Sequence, residues 1–218
     1  MPYRQWRRYH RWSRAEHGEY DTRKPTAQER RAQKLFTLFQ MTYPGAPMIY
    51  YGDEAGMWGA NDPDCRKPMV WPDLQYAAER VHADGTLRSV EDAVEFDRGL
   101  FDFYCRTIRL RRRLPVLSLG DFTALHIDDD QGIYAFERRL GRDWVIVVLN
   151  NSEQSRKVEL ELQGPGTARN QRDIQVLRDL LDPHYRAAPR DSRVVVDLTP
   201  QWARLLAPGI EENTSSGI

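Results

Sequence analysis

The first clear pattern of apolar positions in this chain predicts an amphipathic helix from about Thr26 to Met41. Apolar side chains recur at the i, i+3, i+4 and i+7 positions of one face, namely Ala32, Leu35, Phe36 and Phe39. Basic side chains occupy other positions and are expected to face water, namely Arg30, Arg31 and Lys34. Thr26 and Glu29 have the spacing of a capping box, which satisfies amide donors at a helix start.

The next pattern is a continuous apolar and aromatic run, Pro47–Tyr51, bounded by Gly45 and Gly52. A continuous run indicates a parallel strand that is buried on both faces, whereas a half-solvated strand alternates. We therefore predict a buried strand over Met48–Tyr51. Asp53 and Glu54 follow directly, and loops after the C-terminal ends of parallel strands commonly carry ligand chemistry.

A second helix is predicted to begin near Ser89, with Asp92 completing a capping pair, and to end before Pro115. Its apolar positions form a broad stripe that is expected to pack against a sheet, namely Leu100, Phe101, Phe103, Tyr104, Ile108, Leu110 and Leu114. Arginines near its C-terminal end, Arg109 and Arg111–Arg113, are interpreted as a solvated helix end rather than a phosphate site.

From Gly120 onward, short runs with period-two alternation are separated by turn residues, which predicts an all-β domain. The domain boundary is placed at Ser118–Asp121. The candidate strands are Thr123–Ile127, Ile133–Arg138, Trp144–Asn150, Arg156–Leu162, Gln175–Leu181, Val194–Leu198 and Trp202–Leu206. The acidic stretch Asp128–Gly132 is interpreted as a solvated turn rather than a calcium site, and residues 210–218 as a disordered tail.

Composition and charge narrow the classes of function. The 218 residues are 29% charged and 40% hydrophobic with zero net charge, so neither nucleic acid nor a membrane is expected as a partner. The N-terminal segment MPYRQWRRYHRWSRAEHG mixes arginines with aromatics, a pattern that can bind single-stranded nucleic acid. Covering the flank of a larger domain is the favoured interpretation. Two cysteines, Cys65 and Cys105, imply no disulfide framework, and a cytoplasmic setting is expected.

The segment GAPMIYYGDEAGMWGANDPDCRKPMVW resembles the region around the eighth barrel strand of α-amylase family glycoside hydrolases. The similarity is closest to the cyclomaltodextrinase, neopullulanase and maltogenic amylase group. It rests on the order Gly-x-Pro-x-Ile-Tyr-Tyr-Gly-x-Glu, followed by Asn61-Asp62-Pro63 and Arg66. The resemblance extends upstream through Tyr20–Pro25 and, more loosely, downstream to about Pro208.

The resemblance implies a fold of class α/β plus all-β. Residues 1–118 would be the last part of a (β/α)8 TIM barrel, and residues 119–209 a C-terminal antiparallel β-sandwich. A single parallel strand with two helices has no neighbouring strands to pair its backbone hydrogen bonds or cover its faces. A barrel of this kind needs about eight strands. We therefore expect the chain to be a fragment of a larger enzyme or a piece that needs a partner.

The resemblance also implies that no catalytic residue lies in this chain. Retaining hydrolysis uses two carboxyl groups, one as nucleophile and one as acid/base. In the family these groups, together with a third essential aspartate, precede the eighth strand and so fall upstream of this sequence. The isolated chain is therefore expected to be inactive, and no metal or cofactor is expected.

Four residues of the central segment are candidate sugar-binding groups. The resemblance gives Asp62 and Arg66 the roles of the family's sugar-contacting aspartate and arginine, with a mutual salt bridge as the alternative. Tyr51 and Trp58 are candidates for stacking on sugar faces, with core packing as the alternative for Tyr51. Glu54 is interpreted as a group that orients its neighbours.

Two functions stay open at this point. The first is part of a retaining hydrolase of α-glucans such as cyclodextrins, pullulan or maltooligosaccharides, with an α-glucan oligosaccharide as partner. The second is a non-catalytic carbohydrate-binding or structural module. Hydrolysis versus transglycosylation stays undecided, and a homodimer of the full-length enzyme stays open.

Overall fold

The computed structural model describes residues 23–59, 64–82, 85–162 and 176–209. Several predicted features lie outside the described residues. These are the basic and aromatic N-terminal segment, Asp62, the strand start at Gln175 and the tail 210–218. None of the helices in the described part combines the length and apolar character needed to cross a membrane.

The described residues fall into two compact units. One takes in the chain up to Lys34 together with Pro47–Arg109, and the other takes in Leu35–Ala46 together with the chain from Leu110 onward. The predicted domain limits at residues 118 and 209 stay predictions, although the first strand of the β-rich region does begin at Asp121.

Helix α1, Ala27–Thr42, confirms the first predicted helix and its capping box. The Thr26 amide donates to Glu29 Oε2 at 2.8 Å, and the Glu29 amide donates to Thr26 Oγ1 at 3.3 Å. Arg23 adds a bidentate pair to the same carboxylate, at 2.7 and 2.8 Å. The start of the helix is therefore fixed by local side chains, as the sequence predicted.

Two details of the predicted α1 face are wrong. Phe36 is exposed, because the buried positions follow Leu35, Leu38 and Met41, and Phe36 lies off that stripe. Arg30 does not face water, because its guanidinium donates to the Gly56 carbonyl. A long arginine side chain can reach a backbone acceptor that sequence periodicity does not reveal.

The predicted buried strand Met48–Tyr51 is also wrong for the described chain. This segment belongs to none of the sheets that the described residues form, and the side chain of Met48 is 75% exposed. The run has the composition of a strand buried on both faces, but the described residues supply no parallel strands or closed barrel around it. Apolar composition indicates that a segment is suited to burial, but it does not show whether the chain supplies the residues that would cover it.

The second helix, α2, spans Arg98–Arg113 and so begins later than predicted. Ser89 lies instead in strand β2, Leu87–Asp92, which pairs antiparallel with β1, Glu79–Val81. The actual cap is Asp97, whose Oδ1 accepts the Leu100 amide at 2.9 Å. The Ser-x-x-Asp spacing misled the prediction because Asp92 is engaged by the side chain of Arg88 in the hairpin.

The C-terminal region forms strands close to those predicted, after a short helix α3, Pro115–Leu119. The strands are β3 (Asp121–Asp128), β4 (Ile133–Leu140), β5 (Asp143–Asn150), β6 (Arg156–Glu161), β7 (Leu177–Asp179), β8 (Arg186–Ala187), β9 (Arg193–Leu198) and β10 (Trp202–Pro208). The two-residue strand β8 was missed because it is too short to show alternation. In the Asp128–Gly132 turn, Asp128 Oδ1 accepts the Gln131 amide at 2.9 Å.

In the described residues these strands form two antiparallel sheets around one core. The larger sheet has the order β3-β4-β5-β10-β7-β8, and the smaller pairs β6 with β9. Both contribute to a single apolar cluster that includes Ile133, Ile146, Val148, Leu177, Leu206, Val158, Leu160, Val194, Val196 and Leu198. Burial of this apolar surface is the main stabilising term for the region.

A cluster of aromatic rings packs the end of α1 and the chain after it onto β3 and β4. Phe39 lies 4.7 Å from Tyr43 and 6.4 Å from both Tyr134 and Phe136, measured between ring centroids. Phe122 lies 5.1 Å from Tyr43 and 5.2 Å from Phe136. Tilted and edge-to-face rings at these separations attract one another beyond their buried area.

Arg138 on β4 is the largest fully buried side chain of the described residues, with 1% exposure. Its guanidinium donates to the carbonyls of Thr42 and Leu117 at 2.7 Å, Gly120 at 2.8 Å and Asp121 at 3.3 Å. Thr42 and Leu117 lie in the last turns of α1 and α3, where carbonyls lack partners within the helix. Burial lowers the pKa of Arg138 from its usual value, and Arg111 adds to that effect.

Arg111 also binds the end of α1 and the residues that follow it. Its guanidinium donates to the carbonyls of Met41 at 2.7 Å, Tyr43 at 3.3 Å and Gly45 at 2.6 Å. Cations are favoured at a helix C-terminus because the helix dipole is negative there. Arg111 and Arg138 together therefore donate hydrogen bonds to the carbonyl groups at the end of α1 and in the turn that follows it.

We expect Arg138→Met to lower the free energy of unfolding by at least about 3 kcal/mol, because several buried carbonyls lose a charged donor at once. The measurement is urea unfolding followed by circular dichroism. Arg142, exposed in the turn between β4 and β5, provides the control, and Arg142→Met should stay within about 0.5 kcal/mol of the unmodified chain. Equal losses from the two variants would show that Arg138 is not an anchor.

The Arg23 guanidinium is the main cause that holds the pKa of Glu29 at about 2, against a usual value of 4.5. A lowered pKa in the folded state stabilises the fold above the usual value, and this contribution is lost as the pH falls from 4.5 toward 2. We expect the Glu29 carboxyl carbon to stay in its ionised form at about pH 3.5 in an NMR titration. Arg23→Ala should raise the midpoint toward 4.5. A half-protonated Glu29 at about pH 4 in the unmodified chain would contradict this assignment.

Candidate functional site

The turn over Tyr51–Gly56 is the centre of the candidate site. Gly52 has φ of +88°, and a Cβ there would lie 2.4 Å from Met57 Sδ, so this position requires glycine. The Gly52 carbonyl accepts the amides of Ala55 and Met57 at 3.1 and 3.0 Å. Glu54 Oε2 accepts the Gly52 amide at 3.1 Å. The Glu54 carboxylate therefore fixes the turn that precedes Trp58.

Two polar side chains of α1 hold this turn. Arg30 donates to the Gly56 carbonyl, and Gln33 Nε2 donates to the Asp53 carbonyl at 3.1 Å. Burial lowers the pKa of Arg30, and the carboxylate of Asp97 opposes that shift. Burial likewise raises the pKa of Asp53. The backbone of the turn is thus tied to helix α1 by two side-chain donors.

Tyr51 presents an exposed ring with a fixed hydroxyl. The ring is 43% exposed, while the hydroxyl donates to the Lys67 carbonyl at 3.0 Å. The Tyr50 ring lies 4.9 Å away between centroids. Within the described residues the Tyr51 ring is thus open to solvent, and both its role in sugar stacking and the alternative of core packing stay predictions.

Trp58 lies next to two ammonium groups. Lys24 Nζ and Lys67 Nζ lie 5.8 and 5.7 Å from the indole centroid, within cation–π range. The indole nitrogen is buried and has no hydrogen-bond partner among the described residues. Trp58 is therefore a partly buried ring bordered by positive charge, and its role in stacking on sugar faces stays a prediction.

Arg66 ends a 3₁₀ turn, Asp64–Arg66, and its side chain is exposed. Asp62 lies outside the described residues, so the structure tests neither its sugar-binding role nor its alternative salt bridge to Arg66. Gly59 lies close to the Asp64 backbone, because a Cβ on Gly59 would be 2.6 Å from the Asp64 carbonyl oxygen. The two ends of the loop that carries Asp62 are thus held near each other.

Sequence reasoning missed a chain of ion pairs beside these residues. Lys67 Nζ lies 2.5 Å from Glu79 Oε1, and Arg88 binds both Glu79 Oε2 at 2.7 Å and Asp92 Oδ2 at 2.9 Å. The Arg88 side chain is 4% exposed. The Lys24 amide donates to Asp92 Oδ2 at 3.1 Å. Both strands of the hairpin carry acidic and basic residues, but that composition does not specify which of them pair.

Disulfides and metal sites each require a specific set of side chains, which can be compared with the described residues. Cys65 and Cys105 are both free thiols of intermediate exposure. Over residues 23–59, 64–82, 85–162 and 176–209, no group of three His, Cys, Asp or Glu side chains could hold a metal ion. What the described site offers is aromatic rings, a guanidinium and carboxylates, which suit hydrogen bonding and stacking with a polyhydroxylated ligand.

Comparisons with known proteins find similarity to one family of enzymes. Residues 17–120 match the family model of the alpha amylase catalytic domain. The chain is 43% identical over 133 residues to neopullulanase 2 of Thermoactinomyces vulgaris, an alignment that covers 61% of this chain and 19% of the relative. It is 37% identical over 125 residues to a cyclomaltodextrinase of a Bacillus species, covering 57% of this chain and 19% of the relative.

A solved structure of a cyclomaltodextrinase is similar as well. It shares 28% sequence identity and a TM-score of 0.63, with 82% of this chain and 26% of that chain covered. The chain spans about a fifth of the length of the curated relatives that it matches.

We expect Gly52→Ala to destabilise the turn by more than Gly45→Ala does. Both glycines have positive φ, so each alanine costs about 1–2 kcal/mol, but a Cβ at Gly45 meets nothing within 4 Å whereas one at Gly52 meets Met57. The free energy of unfolding of each variant is measured in urea. Adding Met57→Ala to Gly52→Ala should remove the steric part of the difference. Equal costs at the two glycines would contradict the close packing of Gly52.

Proposed function

We propose that the chain belongs to the alpha-amylase family, whose catalytic-domain model matches residues 17–120, and that it forms part of a retaining glycoside hydrolase that acts on α-glucans. The identity to neopullulanase 2 over 133 residues carries this proposal. Cyclodextrins, pullulan and maltooligosaccharides are the proposed substrate class, given the names of the relatives. A non-catalytic binding module is less favoured, because the relatives are glycoside hydrolases.

The proposed contribution of this chain is binding of sugar rings. Arg66 donates from a planar guanidinium to sugar hydroxyls, and Asp62 accepts from others. Tyr51 offers a ring face for stacking, since its ring is exposed while its hydroxyl is fixed. Trp58 borders this surface as a further contact. The exposed position of Arg66 supports the assignment.

We propose that residues 1–118 form the end of a barrel and that residues 119–209 form a β-sandwich. The apolar and exposed run Pro47–Tyr51 fits a barrel strand whose neighbours are supplied by other residues. The two antiparallel sheets with a shared core fit the C-terminal β-sandwich expected from the family resemblance. A cytoplasmic location and a homodimer of the full-length enzyme stay predictions.

The chain by itself is not expected to hydrolyse glucans. Hydrolysis with retention needs a nucleophile and an acid/base about 5–5.5 Å apart across the scissile bond, and the family resemblance implies that neither group is among these residues. Incubation with β-cyclodextrin or pullulan should therefore release no reducing ends above those of a mock-purified control. Turnover above that control would contradict the assignment.

Sugar binding by Asp62 and Arg66 is best tested in a full-length relative whose corresponding segment is replaced by residues 44–71. Asp62→Ala or Arg66→Ala should each cost about 1–3 kcal/mol, or roughly five- to a hundredfold in kcat/KM, because sugar hydroxyls lose their partners. Unfolding midpoints should change little. A double-mutant cycle should show coupling if both side chains bind one sugar. Unchanged activity with lower stability would favour the structural salt bridge instead.

A further inference from the structure

Three of the candidate sugar-binding residues meet at Lys67. Its carbonyl accepts the Tyr51 hydroxyl at 3.0 Å, and its ammonium lies 5.7 Å from the centroid of Trp58. Its backbone continues directly from Arg66, the last residue of the 3₁₀ turn. A displacement of Lys67 would therefore reach all three residues at once.

Lys67 is itself held by a partly buried ion-pair chain. Its ammonium lies 2.5 Å from one oxygen of Glu79 and 3.7 Å from Asp64. The other Glu79 oxygen binds Arg88 at 2.7 Å, and the Arg88 side chain is almost fully buried between Glu79 and Asp92. Charges with little solvent around them are weakly screened, so this chain of pairs fixes geometry more strongly than an exposed pair does.

We propose that Lys67 is a positioning residue for the sugar-binding surface, an inference that rests on the proposed function. The ammonium, held by Glu79 and by the face of Trp58, fixes the backbone that receives the Tyr51 hydroxyl and that carries Arg66. Because the ammonium is already engaged by two carboxylates and an indole, it acts through these neighbours rather than on the sugar.

Two substitutions of Lys67 distinguish a role of its charge and hydrogen bonds from a role of its side-chain volume. An arginine at this position keeps the positive charge, can bind Glu79 and favours an indole face. A methionine has a similar stem but neither charge nor donor, so it leaves Glu79 without that partner. Lys67→Arg should therefore retain the geometry that Lys67→Met loses.

The experiment uses the full 218-residue chain and two readouts. The first is the indole ¹H–¹⁵N signal of Trp58, assigned by comparison with Trp58→Phe. The second is the affinity for maltoheptaose, titrated by NMR at the same time. Lys157, an exposed lysine paired with Asp197 on the smaller sheet, provides the control variant Lys157→Met.

We expect Lys67→Met to shift the Trp58 indole signal and to weaken maltoheptaose binding by about fivefold or more. Lys67→Arg should keep the affinity within about twofold, and Lys157→Met should change neither readout. Should Lys67→Met fail to fold, Glu79→Gln replaces it, because it weakens the same pair while keeping the side-chain shape.

The outcomes separate this inference from the proposed function. If the unmodified chain does not bind maltoheptaose, binding by this chain fails, and the Trp58 signal alone decides whether Lys67 positions its neighbours. If the chain binds maltoheptaose and Lys67→Met leaves the signal and the affinity unchanged, the positioning role is overturned. Equal losses from Lys67→Met and Lys67→Arg would also overturn it, because the ion pair would not be the cause.

Discussion

The need to satisfy carbonyl groups at helix ends governs much of this structure. The last turns of α1 and α3 expose carbonyls that have no partner within their helices, and Arg138 brings a buried guanidinium to both. Because Arg138 lies on β4 inside the larger sheet, its guanidinium links that sheet to the ends of both helices. The aromatic cluster of Phe39, Tyr43 and Phe136 then packs beside it.

The other compact unit uses cations in the same way. Arg30 donates to a turn carbonyl, and Arg88 is enclosed by the carboxylates of Glu79 and Asp92. Each pairs a poorly solvated charge with acceptors, as buried charges require. The candidate site therefore combines the exposed Tyr51 ring, the partly buried Trp58 ring and the Arg66 guanidinium with partly buried ion pairs beside them. Stability and site geometry depend on the same side chains, so their variants must be separated by distinct measurements.

Local signals predicted local structure well. The Thr26–Glu29 box fixed the start of α1, and alternation found the longer strands, because caps and period two depend on neighbours in sequence. The start of α2 was missed because Ser89 satisfies a capping pattern but pairs in a hairpin instead. The roles of Lys67, Glu79 and Arg88 depend on which distant charges meet, and a single sequence does not contain that information.

The family resemblance came from the order of residues in the central segment rather than from any fold argument. That order could identify Arg66 and Tyr51 as candidates, and the structure shows both side chains exposed. It could not show that Trp58 lies beside two ammonium groups. Side-chain surroundings depend on chain segments that pack from elsewhere, so the chemical character of Trp58 needed coordinates.

The exposed run Pro47–Tyr51 has a further consequence for how this chain behaves among other molecules. Its apolar side chains are hydrated, and covering them would release roughly 25 cal/mol for each Å² removed from water. Burial of this segment against a complementary polypeptide surface would therefore favour association. An exposed apolar segment of this kind also favours self-association, so a higher concentration of the chain should favour contact between copies.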